Sequence, residues 1–140
     1  MTNVYLDIDG VLLVNDNTMA NHCHEFLEYV TGHFPTYWLT THCRGDDRLT
    51  HLFLTRTFPA RTLEIVKKIK PTNWATNKTE GIDFSQPFLW FDDDLFLGER
   101  QELERRNLLD NWIEVDFRKD ENYLQRFLTS LLPIVNRDPV

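Results

Sequence analysis

Val4-Tyr5-Leu6-Asp7-Ile8-Asp9-Gly10-Val11-Leu12 decides how this chain is read. An apolar run feeds directly into two carboxylates two residues apart, and a glycine follows. Like charges held this close repel unless a proton or a cation lies between them. The apolar lead-in suits a buried central strand, and the carboxyl end of such a strand is where α/β folds bind their ligands. The simplest chemistry for the stretch is a metal and phosphate site with a carboxylate nucleophile.

Working outward, 140 residues make one domain, residues 1–140. A chain of this size buries roughly 70% of its unfolded surface, enough for a real core. The net charge of −7 argues against general affinity for nucleic acid, which needs phosphate-neutralising Lys and Arg. The same excess fits a carboxylate site offset by a cation. Cys23 and Cys43 without a basic, apolar leader read as reduced thiols in a cytoplasmic protein. No apolar stretch approaches a membrane span.

The remaining chain alternates strands with helices. Residues 3–8 are the first strand. Residues 19–32 are predicted helical, with Phe26, Leu27 and Val30 on one stripe and Gly32 as a stop. Residues 36–40 are a second, aromatic-rich strand, and 46–57 a helix with Leu49, Leu52 and Phe53 on one face. Residues 61–69 fit neither period cleanly and are assigned as a third strand ending before Pro71. Lys78 to Ile82 is one helical turn. Residues 87–91 are the most apolar run and a central strand, with Asp92-Asp93-Asp94 behind it. A charged helix over 99–109, a fifth strand over 112–115 and a closing helix over 120–132 complete the pattern. Residues 133–140, with two prolines, are a loosely held tail. The expected fold is α/β: a Rossmann-like three-layer sandwich on a mostly parallel five-stranded sheet.

Four polar features stand at strand ends: Asp7 with Asp9, Thr40, Lys78, and the acids after Phe91. In a parallel sheet all of them share one edge. Each has a plainer reading. Asp94 suits a helix N-cap before Leu95-Phe96-Leu97. Thr41 competes with Thr40, and Lys67, Lys68 and Lys70 compete with Lys78, although lysines on an edge strand protect it from pairing. His22, Cys23, His24, His42 and Cys43 match no structural zinc spacing. Arg44 is either an anion ligand or a solvated loop residue. Trp38, Trp90 and Trp112 read as core, and Trp74 as core or pocket lining.

The order and character of these residues resemble the haloacid dehalogenase (HAD) superfamily. Its first motif, an apolar strand and Asp-x-Asp-Gly, is matched by Asp7-Ile8-Asp9-Gly10. Its second, a strand ending in Thr or Ser, is matched by Tyr37-Trp38-Leu39-Thr40. Lys78 stands for the third, and Leu89-Trp90-Phe91-Asp92-Asp93 for the fourth. The resemblance spans residues 4 to about 93. It implies a Mg²⁺-dependent phosphatase or phosphotransferase. Asp7 is then the nucleophile and Asp9 the general acid–base. Thr40 binds the phosphoryl oxygens, and Lys78 neutralises charge on nucleophile and phosphate. The Mg²⁺ ligands are Asp7, Asp9 through its carbonyl, and Asp92 or Asp93. Family members differ by cap insertions, and residues 11–35 and 41–77 leave no room for a large one. An open, uncapped site suits a bulky phosphorylated substrate such as a phosphoprotein or a nucleic-acid end. Two other classes compete. One is a non-catalytic HAD-like module that binds a phosphorylated partner. The other is a receiver-type phospho-accepting domain, disfavoured because its Thr and Lys follow the phospho-acceptor.

Overall fold

The computed structural model describes residues 1–137, with side-chain surroundings through Ser130. Four parallel strands form the sheet: β1 (Asn3–Leu6), β4 (Thr36–Trp38), β5 (Phe88–Asp92) and β6 (Trp112–Glu114), in the order β4-β1-β5-β6. Between β1 and β4 the chain forms a small antiparallel hairpin, β2 (Leu13–Asn15) with β3 (Thr18–Met19), and then helix α1 (Cys23–His33). Helices α2 (Arg48–Leu54) and α3 (Ala60–Val66) follow β4. A 3-10 turn at Lys78–Gly81 precedes β5. Helix α4 (Leu97–Arg105) and a short turn at Leu109–Asn111 lead to β6, and α5 (Tyr123–Arg137) closes the chain.

Side chains alternate across the strands and so serve two separate cores. Val4, Leu6, Trp38 and Phe91 face one side, against Phe26, Leu27 and Val30 of α1, Ile65 and Val66 of α3, and Leu124 of α5. Tyr5, Leu39, Phe88 and Trp90 face the other, against Trp74, Ile82 and Leu103 of α4. The fold is therefore helices on both faces of a parallel sheet, as the strand–helix alternation predicts.

Strand order fixes where a ligand fits. From β1 the chain crosses to β4 on one side, and later returns to place β5 on β1's other flank. The carboxyl ends of β1 and β5 thus border the point where the winding reverses, the usual crevice of open α/β sheets. Asp7 and Asp92 stand at those two ends.

Several sequence expectations need correction. The third strand over 61–69 is instead helix α3. Thr62, Ile65 and Val66 are its buried face, a helical spacing that packing selects over the competing alternation. The sheet has four strands, and a fifth position survives only as a single parallel bridge between Lys70 and Tyr37. Pro71 follows at once and has no N–H to extend the ladder. Leu49 and Leu52 are exposed at 76% and 64%, while Thr50 and Leu54 carry the buried face of α2. The tail from 133 is helical through Arg137, as part of α5, and residues 138–140 lie outside the described part. Among the described residues, no helix is long and apolar enough to cross a membrane.

Candidate active site

Asp7 follows β1 directly, and its N–H donates to the Phe91 carbonyl at 3.1 Å, so the ends of β1 and β5 are tied together. Lys78 reaches into this seam from the 3-10 turn. Its Nζ lies 2.7 Å from Asp92 Oδ2 and 3.4 Å from Asp7 Oδ2, and all three side chains are nearly buried. Asp7, Asp92 and Asp93 each bring one carboxylate oxygen within 4.8 Å of the others. Lys78, with which Lys67, Lys68 and Lys70 compete in the sequence, is thus the cation set among these acids.

The two later acids differ in what they accept. Both Asp92 oxygens are occupied. Oδ2 accepts from Lys78 Nζ and from Trp90 Nε1 at 3.2 Å; Oδ1 accepts the N–H groups of Asp93 at 2.8 Å and Asp94 at 3.3 Å. Asp93 is exposed at the rim. Gly10 makes room for it. At φ +79° the glycine is left-handed, and a Cβ there would come within 2.3 Å of Asp93 Oδ2. The motif glycine therefore has two local reasons, the tight turn and the approach of Asp93.

Burial pushes the Asp92 carboxyl up to about 9, the Asp7 charge adds to the rise, and Lys78 opposes it. Burial also raises Asp93. Burial works against the Lys78 ammonium, but Asp7 and Asp92 outweigh it and hold its pKa above the ordinary lysine value. Ionised together, the three carboxyls would outnumber the one ammonium, and a divalent cation would balance the difference. The donors are all carboxylate oxygens, the chemistry that suits Mg²⁺ and not a soft metal. The residues present fit the ion that the sequence implied.

Thr40 lies two residues beyond Trp38, on the strand beside β1, and Leu39 N–H donates to the Leu6 carbonyl at 2.8 Å. That register brings Thr40 to the same sheet edge as Asp7. Thr40 is fully buried, whereas Thr41 is exposed. Asp9 stands apart from the carboxylate cluster: its Oδ2 lies 2.8 Å from His42 Nε2. Its carbonyl is left outside the bridge that follows, in which Gly10 N–H donates to Leu13 O and Leu13 N–H to Ile8 O.

Other candidates resolve into local roles. Asp94 is not the N-cap of α4. It accepts Leu95 N–H, and the helix starts three residues later with Glu99 Oε1 accepting Phe96 N–H. Buried Glu99 also accepts Lys78 N–H through Oε2 at 2.8 Å, which joins the lysine's turn to the loop after β5. Arg44 stacks on Trp74 at 3.6 Å and donates to the carbonyl of Ala75. His24 is buried against Thr62 Oγ1, and Cys23 and Cys43 are free, buried thiols. Sequence reasoning missed His42 and Glu99. Trp90, read from sequence as core only, also donates to Asp92; strand residues two apart share a face, the one signal that could have pointed to it.

One cavity borders the site at Asp93, and a second lies along the His42 loop. A cavity of about 430 Å³ beside Asp93 is lined by Gly10, Val14, Phe117 and Arg118 among others. One of about 560 Å³ is lined by Thr41, His42, Arg44, Arg48 and Leu49 among others. No family model, curated protein or solved structure matches the chain.

Proposed function

We propose that the chain is a HAD-like, Mg²⁺-dependent phosphatase or phosphotransferase with an open active site and an aspartyl-phosphate intermediate on Asp7. The observation that carries this reading is Lys78 held between Asp7 and Asp92 at the switch point of a parallel sheet. An acyl-phosphate route needs a carboxylate free to attack, a cation that lets it approach an anionic ester, and a donor for the leaving oxygen.

Asp7 forms the bond to phosphorus as the ester P–O bond breaks. Asp9 gives a proton to the leaving oxygen, then takes one from the water that cleaves the acyl phosphate. Lys78 and the Thr40 hydroxyl stabilise the phosphoryl charge. Asp7, Asp93 and the Asp9 carbonyl are the groups left free to hold Mg²⁺, with Asp92 fixing Lys78. Bound there, the ion supplies charge neutralisation for nucleophile and phosphate.

The cavity at the Asp93 rim favours a phosphate monoester on a bulky group, phosphoprotein and nucleic-acid end included; the acidic net charge weighs against the latter. Free buried thiols suit a reducing, cytoplasmic setting. The test is release of phosphate from an aryl phosphate with Mg²⁺, with chelator, and in Asp7→Asn. Turnover lost in both controls supports the reading. Tight phosphate binding without turnover would favour a non-catalytic module instead.

A further inference from the structure

We propose that His42 positions the Asp9 carboxyl and fixes which of its two oxygens exchanges the proton with the leaving group. The inference rests on the phosphatase reading above and adds a residue to that site.

Asp9 needs such a partner. Its side chain is about half exposed, at 53%, and sits outside the carboxylate cluster. A carboxyl on a mobile rotor is a poor proton donor, because a misplacement of about 1 Å costs up to about 100-fold in rate. Among the described residues, the side-chain contact Asp9 makes is to His42 Nε2 at 2.8 Å, through Oδ2.

His42 is itself held on three sides. Its ring stacks on Phe53 of α2, centroids 4.1 Å apart and planes 17° from parallel. Its N–H donates to Thr40 Oγ1 at 3.3 Å, and its carbonyl accepts from Thr50 Oγ1 at 2.5 Å. The loop that delivers the phosphate-binding hydroxyl therefore also delivers the ring beside the acid. Helix α2, whose Leu49 and Leu52 are left outside the core, spends Thr50 and Phe53 on this loop.

An ionised carboxylate only accepts, so against the Asp9 carboxylate Nε2 carries the hydrogen toward Oδ2, and Oδ1 is the free oxygen that takes and returns the proton. In the first half-reaction the Asp7–phosphorus bond forms, the ester bond breaks, and the Oδ1 proton goes to the leaving oxygen. In the second, water's oxygen bonds to phosphorus, the Asp7–phosphorus bond breaks, and water's proton goes to Oδ1. His42 touches no reacting atom in either step.

Leaving-group dependence separates this role from a merely structural one. A dinitrophenyl ester departs as a stable anion and needs little help, whereas a phenyl ester needs the proton. The assay is kcat/KM, which reports the first half-reaction, on dinitrophenyl phosphate and phenyl phosphate with Mg²⁺. His42→Ala is expected to lose at least about tenfold more on the phenyl ester than on the dinitrophenyl ester. His42→Gln, which keeps an N–H at similar reach, is expected to recover most of that difference. A partly unfolded variant lowers both esters alike and leaves their ratio unchanged. Equal losses on the two esters, or a Gln variant no better than Ala, overturn the inference while the phosphatase reading stands. A wild-type protein inactive on both, or an Asp7→Asn protein as active as wild type, overturns the phosphatase reading and this inference with it.

Discussion

The Lys78 ammonium sits 2.7 Å from Asp92 Oδ2 with both side chains nearly removed from water, at 11% and 2% exposure. A buried pair of this kind adds little net stability when intact, but losing one partner strands the other. Lys78→Met leaves the Asp7 carboxylate buried without a cation, beside an Asp92 carboxyl that holds its proton at neutral pH. The expected loss of unfolding free energy is about 3–5 kcal/mol at neutral pH in the absence of Mg²⁺, read by urea denaturation. A loss below about 1 kcal/mol would mean that the ion pair is not formed in solution.

Mg²⁺ is expected to stabilise the folded chain, since the three acids converge only in the native state. At a hundred times its dissociation constant the gain is about 2.7 kcal/mol, visible as a higher midpoint in a thermal melt. Asp93→Asn removes the open carboxylate and is expected to abolish most of the shift. An unchanged shift in Asp93→Asn would move the ion elsewhere.

The pH dependence of the cation-free protein has a defined sign. Asp92 is raised from 3.8 to about 9 in the folded state, so between those values the native chain binds more protons than the unfolded one. Its contribution is present in full below the unfolded value and drains away as pH rises toward the folded one. Asp93 shifts in the same direction. The stability of wild type relative to Asp92→Asn is therefore expected to fall as pH rises through the neutral range, and Mg²⁺ should flatten that slope. A difference that grows with pH contradicts the assignment.

Gly10→Ala tests the cradle under Asp93. The left-handed backbone costs about 1–2 kcal/mol for a residue with a Cβ, and the new atom also collides with the Asp93 carboxylate. Stability should fall by at least that amount, and cation affinity should fall with it. A variant that loses stability but binds Mg²⁺ normally would show that Asp93 is not held by this turn.

Strands buried on both faces read as continuous apolar runs, which made Val4-Tyr5-Leu6 and Phe88-Leu89-Trp90-Phe91 legible from sequence. Residues 61–69 were not, because Leu63, Ile65 and Val66 fit neither period cleanly, and packing beside α1 decides. Leu49 and Leu52 misled for a related reason: α2 turns Thr50 inward to reach the His42 carbonyl, and that demand is invisible in a hydropathy pattern. The strand-end acids and Lys78 were readable from their order. The contact of Asp9 with His42 was not, because it depends on how two loops from neighbouring strands close on each other.

The most direct test of the central claim is to quench the reaction with acid during turnover of an aryl phosphate in Mg²⁺ and map the phosphorylated peptide. The account predicts one acid-stable, base-labile phosphoryl group on Asp7, absent in Asp7→Asn together with turnover. Turnover that proceeds with no phosphoryl group on Asp7, or that persists in Asp7→Asn, would contradict it.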